Sequence, residues 1–439
     1  MHIPRFYGIF AQYLFLKDSF MNIRTSCLSC LLLLSVTGTD AQKYVGGDIS
    51  LLTKYEENGS KYLDRNGNTI GSLLQYCKQE GMNAMRVRLF VDPANASSVD
   101  KGQGVCQDLS YVKTLGKRIK EAGLKLMLDL HYSDTWADPA KQWTPKAWLT
   151  LSDEALYTRI YDYTKEVLQQ MKAADAEPDF IQTGNEISYG MLWGAKGSAA
   201  NRCYMGSNSN WARFTTLLAN AAKACREVCP QAKIILHTER VAQTDVLKNF
   251  YDNMQTAGAD YDIIGLSYYP YFHGSLAALE TAVATIESGF TGKQIMIVET
   301  GYPLKWPVPG TTYDYTSVYP YTDTGQRQFT RDMITMLNKH KAVTGLFWWW
   351  FEANEYAHTG TAQVTTNWYN APLFDNETGR TTSAFYEMKR FLDTSTGIAT
   401  IKNKEKTADD CWYTINGVRT AAPTQSGIYI HRGKKIVRK

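Results

Sequence analysis

The chain has 439 residues, a length that fits two or three ordinary domains or one α/β barrel that absorbs most of it. It is 44% hydrophobic, with a mean hydropathy of −0.34, a formal net charge of +4 and an isoelectric point near 8.4. That balance suits a globular protein with ample core, and the absence of a basic stripe argues against a nucleic-acid partner.

The N-terminal stretch has the shape of an export leader. Arg24 precedes an apolar run over 27–36, centred on Leu31-Leu32-Leu33-Leu34, and Thr39-Asp40-Ala41 resembles a small-x-small cleavage site. The run is too short to span a bilayer as a stable helix. Residues 1–41 are therefore expected to be a leader, opened at Met1 or Met21. Cys30 precedes the leucines, whereas a lipid-anchored cysteine follows its apolar region, so soluble export is expected: periplasmic, cell-surface or extracellular. No later stretch reads as an integral membrane segment. The other six cysteines (Cys77, Cys106, Cys203, Cys225, Cys229, Cys411) permit disulfides in an exported protein. None forms a Cys-x-x-Cys pair of the kind a structural zinc site uses.

From residue 44 on, short apolar runs alternate with amphipathic ones. Strands are predicted over 44–50, 84–90, 125–130, 180–186, 233–237, 263–267, 294–299 and 345–350. Helices are predicted over 73–80, 109–122, 152–174 with Ser152 as N-cap, 210–228, 246–257, 276–287, 324–338 and 383–392. Eight strand–helix units with buried strands predict a single parallel (β/α)8 barrel over 42–393. After about Asp393 the chain turns polar and lysine-rich. Residues 394–439 read as a linker and a small β appendage, with apolar runs at 412–417 and 427–430.

Two runs end in a carboxylate. Phe180-Ile181-Gln182-Thr183 leads into Gly184-Asn185-Glu186, and Ile295-Met296-Ile297-Val298 leads into Glu299. Taken singly, each glutamate could merely cap the next helix. Carboxylates are rarely buried, and the C-terminal strand ends of a barrel form its active-site rim. The other predicted strand ends bring Arg86 and Arg88, then Asp129, His131, Tyr132, Asp134 and Trp136, then Tyr268 and Tyr269, and finally Trp348 to Trp350. Two carboxyl groups amid arginine, asparagine and aromatic rings suit glycoside hydrolysis. The 28 Tyr, 11 Trp and 16 Phe fit that reading, since aromatic faces stack on sugar rings, but a large core explains them equally. Seven histidines make a metal site a poor fit, and no Gly-x-Ser-x-Gly elbow, P-loop or Rossmann pattern occurs.

Four motifs, in order, carry a resemblance. They are Asp129-Leu130-His131-Tyr132-Ser133-Asp134-Thr135-Trp136-Ala137-Asp138-Pro139, Gly184-Asn185-Glu186-Ile187 with Gly190-Met191-Leu192-Trp193, Ile264-Gly265-Leu266-Ser267-Tyr268-Tyr269-Pro270, and Glu299-Thr300-Gly301-Tyr302-Pro303. Together they resemble the family 53 glycoside hydrolases, endo-β-1,4-galactanases with a (β/α)8 barrel and a retaining mechanism. The resemblance covers roughly residues 43–392. It implies Glu186 as acid/base and Glu299 as nucleophile. It implies substrate contacts from Arg86, Asp129, His131, Trp136, Asn185, Tyr269 and Trp349, with Asn185 on the sugar 2-hydroxyl. The implied partner is β-1,4-galactan or its oligosaccharides.

The chain also departs from the family pattern. An aromatic pair followed by an acidic residue is expected after the eighth strand, where Trp348-Trp349-Trp350 stands. Some relatives bind calcium in the loop after the seventh strand. Here residues 302–322 hold one aspartate, Asp314, and no histidine, so no cofactor is required and calcium is not carried over. The tail over 414–439 is similar to the C-terminal sorting tails of secreted Bacteroidetes proteins. Two other readings stay open: a same-clan enzyme acting on another β-linked glycan, and a catalytically silent glycan-binding barrel.

Overall fold

The computed structural model describes residues 41–203, 210–356, 358, 371–393, 412–414, 419–431 and 434–438. Residues 1–40 of the expected leader, the linker over 395–407 and Cys411 lie outside the described residues.

The eight apolar runs form β1 (Tyr44–Asp48), β2 (Ala84–Leu89), β3 (Lys125–Leu130), β4 (Phe180–Thr183), β5 (Lys233–Thr238), β6 (Ile263–Tyr268), β7 (Gln294–Thr300) and β8 (Val343–Trp348). Each pairs in parallel with the next, and β8 returns to β1, closing the predicted (β/α)8 barrel. The strands are buried almost throughout, as a parallel sheet wrapped by helices requires. Ala84, Met127, Phe180, Ile235, Ile263, Met296, Val298 and Phe347 fill the interior. Gly345 makes room for one of them, because a Cβ there would stand 2.5 Å from Met296 Cγ. The helices lay one apolar stripe against the strands. Over Asp153–Ala173 that stripe includes Leu156, Ile160, Val167, Leu168 and Met171, and the Ser152 side chain caps the helix by accepting the Ala155 N–H.

Several boundaries differ from expectation, and three of the differences are larger than a residue or two of fraying or bear on the site. β4 stops at Thr183, before the polar Gly-Asn-Glu, and β8 stops at Trp348, so Trp349 and Trp350 belong to the following turn. The helix expected over 383–392 splits into an α-helix over Ser383–Glu387 and a 3-10 turn over Met388–Leu392. The pairing of β6 with β7 shifts register between Leu266 and Ser267, which sets Ser267 opposite Glu299. Such irregularities re-aim side chains beside active sites.

The expected C-terminal β appendage is an antiparallel sheet of β9 (Trp412–Thr414), β10 (Arg419–Thr420), β11 (Gly427–His431) and β12 (Lys434–Arg438), in the order β10-β9-β11-β12. The disulfides that the cysteine count permits are not formed among the described residues: Cys77, Cys106, Cys203, Cys225 and Cys229 are free thiols. Among the described residues no helix is long and apolar enough to cross a membrane.

Candidate active site

The C-terminal strand ends surround a cavity of about 400 Å³. Its floor is a buried charge network centred on Arg86. One guanidinium nitrogen lies 2.8 Å from Asp48 at the end of β1. The other lies 2.7 Å from Asp129 on β3, 2.9 Å from Glu299 Oε1 on β7 and 2.9 Å from the Asn185 amide oxygen. Arg88, two residues along β2, takes the other Asp48 oxygen at 2.9 Å. Buried charges survive only when paired, and each charge in this cluster has an opposite charge within 2.9 Å. Burial works against the charge on Arg86, but Asp129, Glu299 and Asp48 outweigh it and keep the guanidinium protonated.

Glu299 is held at both oxygens. Arg86 grips Oε1, while the Tyr269 hydroxyl donates to Oε2 at 3.0 Å and the Ser267 hydroxyl at 3.4 Å. Burial raises its pKa, Arg86 pulls it back, and the carboxyl ends at about 6. Glu186 sits in a different setting. Burial pushes its pKa well up, and the nearby carboxylates of Glu299 and Glu239 push it further, against the Ser267 hydroxyl. Of the two, Glu186 therefore holds its proton more tightly, and Glu299 ionises first.

The backbone carrying Glu186 is contorted. Gly184 has φ +104° and Glu186 φ +48°, a left-handed conformation unfavourable for a glutamate. Surrounding groups fix it there. Gln142 Nε2 donates to the carbonyls of Asn185 (2.7 Å) and Glu186 (3.2 Å). The Glu186 N–H donates to His237 Nδ1 at 3.3 Å, and the Ile187 N–H to the His237 carbonyl at 2.9 Å. Strain of this kind persists only where the surroundings over-determine it, as they do at functional sites.

The other expected site residues divide into those that line the cavity and those that support it. Arg86, His131, Trp136, Asn185, Tyr269 and Trp349 line it together with Glu186 and Glu299. Asp129 does not. It is fully buried, and its oxygens are taken by Arg86, by Gln182 at 2.6 Å and by His131 at 3.1 Å. The expected sugar contact from Asp129 is thus corrected to a supporting place beneath Arg86. His131 is itself oriented: the Ala137 N–H donates to Nδ1 at 3.1 Å, which leaves Nε2–H to face Asp129. The Asn185 Nδ2 donates to the Ala137 carbonyl at 2.7 Å, so its amide is locked with the oxygen toward Arg86.

The three consecutive tryptophans part ways. Trp348 points into the core and donates its indole N–H to the Ala371 carbonyl. Trp349 and Trp350 both line the cavity, stacked with centroids 4.5 Å apart and planes 10° from parallel. Trp350 has φ +52°, which marks the turn that brings both rings to one side. The acidic residue expected directly after an aromatic pair comes later, as Glu352. It is fully buried and accepts the Leu51 N–H at 2.6 Å. Trp193 is core. Asp314 accepts the Thr316 N–H at 2.8 Å.

Several residues of the site went unflagged in the sequence. Gln182 Nε2 reaches Asp129 and, at 2.9 Å, His237 Nδ1. His237 Nε2 in turn lies 2.8 Å from Ser267 Oγ. His237 Nδ1 also lies 3.1 Å from the Asn185 amide oxygen, so polar contacts link Gln182 and Asn185 through His237 and Ser267 to Glu299. Burial, reinforced by Arg86, lowers the His237 pKa well below its usual value and keeps the ring neutral. Glu239, just after β5, also lines the cavity. The signal for Gln182, His237 and Ser267 was present: each is a polar residue inside or closing an apolar strand run.

Comparison with known proteins matches this arrangement to one family. The family model described as "Glycosyl hydrolase family 53" matches residues 44–388. A probable arabinogalactan endo-beta-1,4-galactanase A of Aspergillus terreus is 35% identical over 322 residues, 71% of this chain and 86% of the relative. The arabinogalactan endo-beta-1,4-galactanase A of Aspergillus niger is 32% identical over 332 residues, 73% of this chain and 88% of the relative. Among solved structures, the Ignisphaera aggregans GH53 catalytic domain superposes with a TM-score of 0.69 at 32% identity, covering 81% of this chain and 98% of that one. The chain belongs to glycosyl hydrolase family 53.

Proposed function

We propose that the protein is an endo-acting hydrolase of β-1,4-galactosidic bonds in galactan or arabinogalactan, working by retaining double displacement. The observation that carries the mechanism is the contrast between its two carboxyl groups. Glu299 lies against a guanidinium and a tyrosine hydroxyl and ionises first, while Glu186 has no such cation and holds its proton. This is the division of labour that glycoside hydrolysis needs.

In the first step a Glu299 oxygen attacks the anomeric carbon as the glycosidic C–O bond breaks. The Glu186 proton passes to the departing oxygen. A glycosyl ester of Glu299 results, and the Glu299 charge that raised the Glu186 pKa is gone. Glu186, now ionised, takes a proton from water, whose oxygen attacks the anomeric carbon and frees the Glu299 carboxylate. In this reading Asn185 hydrogen-bonds the sugar 2-hydroxyl and Trp349 stacks on the ring, which their positions on the cavity wall support. Retaining enzymes hold their two carboxyl groups about 5–5.5 Å apart, and that is the separation this mechanism requires of Glu186 and Glu299. The galactan specificity is supported by the names of the Aspergillus relatives.

The test is release of reducing ends from β-1,4-galactan, set beside a panel of mannan, glucan and xylan. Activity on galactan with initial products of retained configuration is expected. Initial products of inverted configuration would overturn the mechanism, and activity confined to another glycan would overturn the substrate.

The domain limits belong to the same proposal: a leader over 1–41, a catalytic barrel over 42–393, and a linker and tail over 394–439. The leucine run and cleavage-like site support export. The similarity of residues 414–439 to secretion sorting tails supports a role for the β9–β12 sheet in that export. A fusion of residues 394–439 to a reporter, expressed in a bacterium with that secretion route, tests it: the reporter should reach the cell surface or the medium.

A further inference from the structure

His273 lines the cavity but hydrogen-bonds neither of the two carboxyl groups. It ends the short turn that begins at Tyr269, whose hydroxyl holds Glu299, and its ring is part-buried on the cavity wall. The turn is tied down. The Phe272 N–H donates to the Tyr269 carbonyl at 2.9 Å, the His273 N–H to the same oxygen at 2.7 Å, and the Tyr268 hydroxyl to the Gly274 carbonyl at 2.9 Å. The ring is oriented as well, because the Tyr269 N–H donates to His273 Nδ1 at 3.0 Å. A backbone N–H can only donate, so Nδ1 is the acceptor nitrogen and the ring proton sits on Nε2. Burial, with Arg240 nearby, lowers the pKa to about 4 and keeps the ring neutral. The Nε2–H has no partner among the described residues. Unlike the unpartnered nitrogens of Arg86, Arg88 and Trp350, it is not sealed away from the cavity.

The order of strands around the barrel says which part of a substrate this donor meets. Glu186 follows β4 and Glu299 stands at the end of β7. The line between them divides the rim into a β5–β6 flank and a β8–β1–β2–β3 flank. The groups that hold the attacked sugar belong to the second flank: Arg86 on β2, Trp349 after β8, and Asn185 with its amide oxygen 2.9 Å from Arg86. The chain on the other side of the broken bond then runs out over the β5–β6 flank. There the wall offers the part-buried Phe272 ring next to the oriented His273 N–H. An apolar face with a single fixed donor beside it suits a sugar, whose C–H groups pack on the one and whose hydroxyl oxygen accepts from the other.

We infer that His273 Nε2–H donates a hydrogen bond to a hydroxyl oxygen of the departing sugar, making His273 a binding residue on the leaving-group side of the cleft. This rests on the galactan-cleaving reading given above.

The experiment compares two substrates on one preparation of His273→Asn. The asparagine oxygen can take the place of Nδ1 as acceptor for the Tyr269 N–H, while the side chain is too short to carry a donor to the Nε2 position. Galactan places a sugar beyond the broken bond. Phenyl β-1,4-galactobioside fills the other side of the cleft equally but brings no hydroxyl to this one. The variant should lose about 3- to 10-fold more kcat/KM on galactan than on the phenyl glycoside, the worth of one neutral hydrogen bond. The ratio of the two losses does not depend on the fraction of enzyme folded, so partial misfolding leaves it readable. His273→Gln, whose amide N–H reaches closer to the Nε2 position, should recover part of the difference. Equal losses on both substrates would show that His273 acts only through the turn and Tyr269, and would overturn the inference. No loss on either, or a larger loss on the phenyl glycoside, would overturn it as well. Wild-type enzyme inactive on galactan but active on another glycan would instead sink the proposed substrate, and this inference with it.

Discussion

Glu299 and Glu186 make opposite demands on pH. Glu299 must be ionised to attack, and burial has raised its carboxyl to about 6. Glu186 must be protonated, and its pKa lies higher still. The profile of kcat/KM against pH should therefore be a bell whose acid limb falls below about pH 6 and whose alkaline limb belongs to Glu186. The two variants separate the roles. Glu299→Ala should be inactive, with azide restoring turnover and inverting configuration. Glu186→Ala should still form the covalent intermediate from a substrate with a good leaving group, then stall until azide replaces the missing base. A Glu186→Ala enzyme that kept the alkaline limb would assign that limb to another group. His237 holds the turn carrying Glu186 and the hydroxyl contacting Glu299. His237→Ala should lower kcat about 10- to 100-fold with little change in KM, because it misplaces groups rather than removing a sugar contact. A change confined to KM would place His237 in binding instead.

At the scale of the element, the turn after β4 shows what was legible in the chain and what was not. Its apolar run and its glutamate were plain from the sequence, and so were the eight strands, because a strand buried on both faces must be apolar throughout. The ends were harder. Trp349 and Trp350 continue the apolar run of β8, yet lie outside it, since hydrophobicity does not distinguish a strand residue from an aromatic wall of a cavity. Gln182, His237 and Ser267 were hidden for the converse reason: a lone polar residue in an apolar run declares no partner, and theirs come from other strands. The resemblance implies a sugar contact for Asp129, but sequence order does not say which carboxylates end up beneath an arginine and which beside it. Within the turn, Gly184 has φ +104°, and a Cβ there would stand 2.6 Å from Ile187 Cγ2. Gly184→Ala should cost about 1–3 kcal/mol of stability, measured by denaturant unfolding, and depress kcat as well, since the strained residue and Glu186 share one turn. An Ala variant with wild-type stability would show that the loop relaxes freely and that its geometry is not enforced.

For the whole molecule, the carboxyl groups concentrated at the barrel mouth set how stability depends on pH. Burial, and then Asp48, raise the Glu352 carboxyl to about 8 against Arg88, while Glu239 stands at about 7 and Glu299 at about 6. Each binds its proton more tightly folded than unfolded, where a glutamate titrates near 4.3. The folded state then holds more protons across that interval, so stability falls as pH rises from about 4.5 to about 8, and Glu186, also raised well above its usual value, adds to the fall. Asp129 works the other way. Its pKa is lowered, Arg86 and His131 prevailing over burial, so its stability is present above the ordinary aspartate pKa and lost only in stronger acid. The two trends place maximal stability near pH 4–5. Thermal melting should thus give a higher Tm at pH 5 than at pH 8. Glu352→Gln keeps an oxygen for the Leu51 N–H but carries no charge to bury. It should leave Tm at pH 5 nearly unchanged and raise stability at pH 8 by an amount on the order of 5 kcal/mol, at about 1.4 kcal/mol per unit of pKa difference. A Tm that is flat across this range, or higher at pH 8, would mean that Glu352 is ionised in the folded protein at neutral pH. Arg88, whose Nε and Nη2 have no hydrogen-bond partner among the described residues, would then have to serve as its counter-ion.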